Sequence, residues 1–340
     1  MVGMTNTQIA VARLGSTGPA VGRIGLGAMG MSGSYGPADE AESKATVHAA
    51  LDSGARLVDT GDFYAMGHNE LLVGRAIADR PREETILSVK FGAMIGPDGS
   101  WQGFDSRPAA LRNFLSYSLR RLGVDYVDIY RPARLDPAVP IEDTVGAIAE
   151  LVDAGYVRHI GLSEVGAETL RRAAAVHPIA DLQIEYSLFS RGIETEILPV
   201  CRELGIGITA YGVLSRGLLS DTAPGRTADF GPADYRAHTP RFQGENLAAN
   251  LALVDALATL ARDKGVSTAQ LAIAWVLSRG GDIVPLIGAR TRTRWSEALG
   301  ALDIALTGAD IAAIEAAVPA AAVAGSRYAE AQMSALDSER

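Results

Sequence analysis

An α/β fold, a closed (β/α)8 barrel with an N-terminal hairpin and extra C-terminal helices, is what this sequence predicts, and three observations predict it. From residue 20 onward, short β-branched runs alternate with amphipathic stretches of ten to fifteen residues, the signature of βα units on a parallel sheet. Eight such units follow one another, more than an open doubly wound sheet usually carries. Finally, the stretch Gly25-Leu26-Gly27-Ala28-Met29-Gly30, a G-x-G-x-x-G by its letters, is not a Rossmann turn. That fingerprint needs a helix to open at its third glycine, so that helix N–H groups hold the pyrophosphate. Here a loop with Gly33, Gly36 and Pro37 intervenes, and helical periodicity starts only beyond Glu40. The next acidic strand end, Asp59, lies 29 positions after Gly30 rather than about 20.

The elements fall in order. The segment before residue 20 reads as a small hairpin placed to plug the barrel floor. Strands are expected at 21–26, 57–59, 86–90, 126–131, 159–163, 182–186, 207–211 and 283–287. Between them the helices show apolar residues at i, i+3, i+4 spacing, as in Leu111, Phe114, Leu115, Leu119 and Leu122, or Val145, Ile148, Ala149 and Val152 with Gly155 as C-cap. The connection from Gly212 to about Gly244, rich in Gly, Pro, Asp and Thr, is long enough to be a lid or binding loop. At 340 residues, the whole chain fits one barrel domain.

Composition narrows the function classes. The chain is 48% hydrophobic and 21% charged and has no apolar run of the ~18 residues that would span a bilayer. The opening MVGMTNTQ lacks the basic and apolar regions of a signal peptide, so a cytoplasmic location is expected. A net charge of −9 argues against nucleic acid or an anionic membrane as partner. Cys201, the single cysteine, reads as a small core residue. The five histidines form no ligand pair of the H-x-H or H-x-x-x-H kind, so no metal is expected. Oligomeric state is not legible.

In a barrel the functional residues sit at the C-terminal ends of strands. Strand two ends at Asp59 with Tyr64 five residues on, and strand three ends at Lys90. A lysine beside a tyrosine favours phenolate, which makes the tyrosine a usable general acid, and the aspartate orients the lysine. The same spacing equally suits a structural Asp–Lys ion pair beside a packed tyrosine.

The blocks DTGDFYAMGHNE, SVKFG, VDYVDIYRPARLDPAVPIEDTVGAIAELVDAGYVRHIGLSE, LQIEYSLFSR, ITAYGVLSRGLL and PRFQGENL resemble, in order and spacing, those of a bacterial NADPH-dependent aldo-keto reductase, over about residues 10–330. The resemblance implies a TIM barrel that binds NADPH without a Rossmann domain and reduces a small aldehyde or ketone by hydride transfer. It makes Tyr64 the proton donor, Lys90 its partner and Asp59 the group holding Lys90. Ser163, Glu164 and Gln183 fall where the family holds the nicotinamide carboxamide, the second position being often asparagine. Tyr211 falls where a ring stacks on the nicotinamide. Gly212, Leu214 and Arg216 fall at the pyrophosphate; Gly288, Arg290, Arg294 and Glu297 fall at the adenosine end, the arginines suiting a 2′-phosphate. Exposed arginines on a helix are also commonly just solvated.

Ala28, Met29, Phe63, Trp101, Arg131 and Ala133 are expected to frame the substrate pocket. Ala133 marks a departure, because the family pattern has a histidine there. Losing one donor to the carbonyl oxygen costs roughly 2.7 to 4 kcal/mol in a well-organised site. Arg131, Arg134, a water or His68 are candidate substitutes, although His68 reads more simply as a loop hydrogen-bonding residue. The alternative reading is an NADPH-binding redox-sensing or regulatory barrel with weak turnover.

Overall fold

The structure, a computed structural model, describes residues 9–223, 230–231 and 234–340. Eight parallel strands close into a barrel in sequential order: β1 (Gly25–Gly27), β2 (Leu57–Gly61), β3 (Ile86–Phe91), β4 (Val127–Pro132), β5 (Val157–Ser163), β6 (Ile179–Glu185), β7 (Gly207–Tyr211) and β8 (Ile283–Ile287), with β8 pairing back onto β1. Helices α1 (Glu40–Asp52), α2 (His68–Ile77), α3 (Pro108–Leu122), α4 (Ile141–Asp153), α5 (Ala167–Val176) and α6 (Ile197–Leu204) link the first seven strands. Helices α7 (Gly244–Asp263) and α8 (Thr268–Ser278) precede β8, and α9 (Arg292–Leu299) and α10 (Gly308–Ala317) follow it.

The expected first strand, 21–26, is divided. Ala20–Gly22 pairs with Val11–Arg13 in the N-terminal hairpin, and only Gly25–Gly27 joins the barrel. Arg23 causes the division: its guanidinium donates to the Leu277 carbonyl (3.2 Å) and the Gly281 carbonyl (3.0 Å), at the carbonyl-rich end of α8. Strand six also begins earlier than expected, at Ile179, through a register shift before Asp181. A second hairpin, Ala93–Ile95 with Trp101–Phe104, follows β3. Of the long connection after Tyr211, residues 224–229 and 232–233 lie outside the described residues.

Alternation along the strands sorts the side chains into an outer core and an interior. Val58, Leu87, Val89, Leu182, Ile184 and Ile208 belong to the layer under the helices. The inward set forms an apolar floor, where Leu57, Ile86, Ile129, Val284 and Leu286 pack with Ala12, Leu14 and Val21 of the hairpin. The hairpin therefore plugs the barrel. Above the floor the inward residues become polar or charged: Asp59, Ser88, Lys90, Arg131, Asp181 and Thr209, all buried. Gly161 makes room for this layer, since a Cβ there would lie 2.7 Å from Asp181 Oδ1 and 3.1 Å from Arg131 Cζ.

Candidate active site

The polar layer is a connected network. Asp59 Oδ2 accepts from Ser88 Oγ (2.7 Å) and Gln183 Nε2 (2.8 Å), while Oδ1 pairs with Lys90 Nζ. Arg131 donates to Ser88 Oγ at 2.9 Å and to Asp181 Oδ2 at 3.0 Å, and Thr209 Oγ1 donates to the same aspartate. Two ion pairs thus share one serine, which offsets their desolvation better than isolated pairs would.

Tyr64 reaches the mouth of this network from the loop after β2. The loop is turned by Asp62 N–H bonding to the Lys90 carbonyl (2.9 Å) and by left-handed backbone at Ala65 and Met66. Phe63 lies edge-on to the Tyr64 ring, with centroids 4.8 Å apart, and Lys90 Nζ stands 5.0 Å from the Tyr64 ring centroid. The expected lowering of the Tyr64 pKa is not what this geometry produces. Desolvation, and next the Asp59 carboxylate, push the hydroxyl well above its ordinary range. Tyr64 therefore keeps its proton at neutral pH.

The structure divides the expected pocket residues. Ala28 and Met29 lead into the turn after β1, where Ala28 N–H bonds to the Asp59 carbonyl at 2.9 Å and Asn69 Nδ2 holds the Ala28 carbonyl at 2.9 Å. Gly25 permits close packing there, since a Cβ would lie 2.8 Å from Leu57 Cδ2. Trp101, on the second hairpin, is half exposed at 51%, edge-on to Phe104. Arg131 does not frame the pocket: it is fully buried below the mouth, and Ser88 and Asp181 hold its fork. Ala133 is buried, its N–H bonded to the Phe91 carbonyl at 2.8 Å. His68 is not on a loop but opens α2, where it is exposed with Nδ1 3.0 Å from Ser32 Oγ, in keeping with a hydrogen-bonding role.

At the cofactor positions the correction concerns Glu164. Its carboxylate is enclosed: Arg327 Nη1 and Nη2 donate to its two oxygens at 2.8 and 2.6 Å, Ser338 Oγ at 2.6 Å and the Tyr211 hydroxyl at 2.7 Å. Burial alone would raise its pKa, but Arg327, together with Arg134 and Ser338, outweighs burial and holds it at about 2. A carboxylate so engaged is not free to grip a carboxamide, which leaves Ser163 and Gln183 as the donors and acceptors nearest that role. Gln183 Nε2 is itself bonded to Asp59. Neither Arg327 nor Tyr328, whose hydroxyl is 2.6 Å from that of Tyr211, is predicted by periodicity, because they follow an alanine-rich run in irregular backbone.

The loop after β7 suits a phosphate. Ser215 and Arg216 adopt left-handed backbone, and Ser215 Oγ and Arg216 Nη1 are buried polar atoms without a hydrogen-bond partner. Such orphans within a loop of strained backbone are what an oxyanion would satisfy. Gly212 is left-handed as well, and a Cβ there would lie 2.9 Å from Glu185 Cγ; Leu214 is half-buried. Arg216 Nη2 pairs with Glu185 at 3.3 Å. At the opposite end, beyond the exposed Gly288, Arg290 Nη1 donates to the carbonyls of Tyr35, Gly36 and Pro37. Arg294 pairs with Glu297 at 2.8 Å and with Thr222 Oγ1 at 2.7 Å. A 2′-phosphate there would exchange for these contacts. Among the described residues no group of His, Cys, Asp and Glu could hold a metal ion, and no helix is long and apolar enough to cross a membrane.

Comparison with known proteins agrees with this geometry. A profile described as the Aldo/keto reductase family matches residues 23–319. The chain is 42% identical over 328 residues to probable aldo-keto reductase 1 of Glycine max, covering 96% of this chain and 93% of that protein. Among solved structures, a glycerol dehydrogenase from Gluconobacter oxydans superposes with a TM-score of 0.81 at 31% identity, over 93% of this chain and 97% of the other. An aldo-keto reductase from Klebsiella pneumoniae in complex with NADPH gives 0.70 at 28%, over 91% and 96%. The chain therefore belongs to the aldo/keto reductase family and is an NADP-dependent oxidoreductase built on a (β/α)8 barrel.

Proposed function

We propose that this chain, residues 1–340 acting as one barrel unit, reversibly reduces small aldehydes or ketones to alcohols, with Tyr64 as proton donor. The observation that carries the reading is the buried Asp59–Lys90 ion pair with the Lys90 ammonium 5.0 Å from the Tyr64 ring centroid, at the C-terminal end of the barrel. NADPH, when bound, would supply the hydride that the carbonyl carbon accepts. Ser163, Gln183 and Tyr211 would hold its nicotinamide; Gly212, Leu214, Ser215 and Arg216 its pyrophosphate; Gly288, Arg290, Arg294 and Glu297 its adenosine end. Tyr64 passes its proton to the carbonyl oxygen as negative charge builds there. The tyrosinate left behind is offset by the ammonium of Lys90, which Asp59 keeps in position, and it regains a proton from solvent. Phe63, Ala28 and Met29 border the space beside Tyr64.

Tyr64→Phe tests the assignment. It is expected to abolish NADPH oxidation with a panel of aldehydes and ketones while leaving NADPH affinity within about twofold. An active Phe variant sinks the role of Tyr64, and tight NADPH binding without turnover in the wild type points instead to a sensing or regulatory barrel.

A further inference from the structure

Carbonyl reduction builds negative charge on the substrate oxygen, and a site that speeds it needs a donor already aimed at that charge in addition to the acid. The basic side chains of the barrel mouth can be sorted by what they already hold. Lys90 pairs with Asp59, Arg131 with Asp181, Arg216 and Arg241 with Glu185, and Arg327 with Glu164. Arg134 differs. Among the described residues no carboxylate lies within ion-pair distance of it, although it is half-buried. Its Nη1 turns back onto the Ala133 carbonyl at 2.6 Å and stands 3.5 Å from Ser163 Oγ, and its Nη2 is 3.3 Å from the Tyr328 hydroxyl. A half-buried guanidinium hydrogen-bonded only to neutral groups keeps its full charge, and the carboxylate whose field reaches it, Glu164, is already paired with Arg327.

Its place in the fold is equally informative. Arg134 is the second residue after β4, next to Ala133, which carries only a methyl group. The contact with Ser163 puts the guanidinium beside the end of β5. On the other side Arg134 opposes the burial and the Asp59 charge that push the Tyr64 hydroxyl upward, so its field reaches the proton donor as well. The Tyr328 ring lies 5.7 Å from Arg134 Cζ and 4.7 Å from Arg216 Cζ, so it contacts both arginines.

We propose that Arg134 is a catalytic residue that donates a charge-assisted hydrogen bond to the substrate carbonyl oxygen beside Tyr64, with Tyr328 of the C-terminal segment as its positioning residue. The proposal rests on the carbonyl-reductase reading above. The His68 and Arg131 alternatives do not serve, the first being exposed at the start of α2 and bonded to Ser32, and the second sealed below the mouth.

The test compares Arg134→Met, Arg134→Lys and Tyr328→Phe with the wild type on 4-nitrobenzaldehyde and 4-carboxybenzaldehyde. NADPH affinity is followed in parallel by nicotinamide fluorescence. Arg134→Met should lower kcat on both aldehydes by roughly 100- to 1,000-fold, with NADPH Kd unchanged within about twofold. Arg134→Lys should recover part of the loss, and Tyr328→Phe should give a smaller fall in kcat. An unchanged kcat overturns the proposal. So does a loss confined to KM for the carboxylated aldehyde, which marks Arg134 as a substrate-carboxylate anchor, or a loss confined to NADPH Kd, which marks it as a cofactor contact. If Arg134→Met does not fold, Arg134→Lys and Tyr328→Phe decide, and wild-type activity in both overturns the assignment. A wild type that turns over neither these aldehydes nor the wider panel overturns the carbonyl-reductase reading itself, whereas an active wild type with an inactive Tyr64→Phe and an unaffected Arg134→Met overturns Arg134 alone.

Discussion

Asp62, two residues before the proposed proton donor, is the residue whose protonation the neutral range governs. Burial, and next the Glu70 charge, raise its carboxyl to about 7, and its Oδ1 has no hydrogen-bond partner. The folded chain therefore binds a proton that the unfolded chain gives up near pH 4, so stability falls as pH rises from about 4 to about 7 and levels off above. Asp62→Asn should remove that decline. Scanning calorimetry is expected to show a smaller difference in Tm between pH 5 and pH 8 for the variant than for the wild type, and an unchanged difference would rule Asp62 out as its source. Other single residues were readable in the sequence only as types. Asp59 and Lys90 are placed toward strand ends by alternation and Tyr64 on the following loop by spacing, but which oxygen of Asp59 holds Lys90 and which holds Ser88 and Gln183 depends on three separate strands.

Among the elements, the C-terminal segment is the one that periodicity did not reveal. It has one short helical turn, Glu330–Met333, and its hold on the barrel is polar: Arg327 and Ser338 on Glu164, Asp337 Oδ2 accepting from Gly166 N–H at 2.8 Å, and Tyr328 on Tyr211. No apolar stripe announces contacts of this kind. Removing the cation should be costly, because Glu164 is fully buried. Arg327→Ala is expected to destabilise the protein by roughly 3 to 5 kcal/mol, with Glu164→Gln in the same chain restoring much of the loss. Urea unfolding of the single and double variants checks this, and additive losses would argue against coupling. The pair also has a defined pH window. With Glu164 held at about 2 against 4.5 for a free carboxyl, its contribution is complete above about pH 4.5 and is lost as pH falls toward 2.

On the scale of the whole molecule, the barrel depends on a floor it does not make from its own strands alone. Leu14, fully buried, comes from the tight turn of the N-terminal hairpin and meets inward residues of β2, β3, β4 and β8. Leu14→Ala should cost roughly 2 to 5 kcal/mol, depending on how far the floor relaxes around the cavity. Guanidinium unfolding with an unchanged m-value is the expected signature, and a loss below about 1 kcal/mol would mean that the hairpin adds little to the closure.

By itself the amino-acid sequence determined the eight βα units, the hairpin plug, the absence of a Rossmann turn at GLGAMG, and the residue types at the strand ends. All of these are local or periodic properties, set by side-chain alternation, glycine placement and the spacing of polar residues. Only the tertiary structure decided which charges meet. It sealed Arg131 beneath the mouth, enclosed Glu164 with a cation that lies 163 positions away in the chain, and left Arg134 without a carboxylate beside the proposed acid. The physical reason is that pairing between buried charges is set by which side chains the closed barrel brings within hydrogen-bonding distance, and no period in the chain encodes that distance.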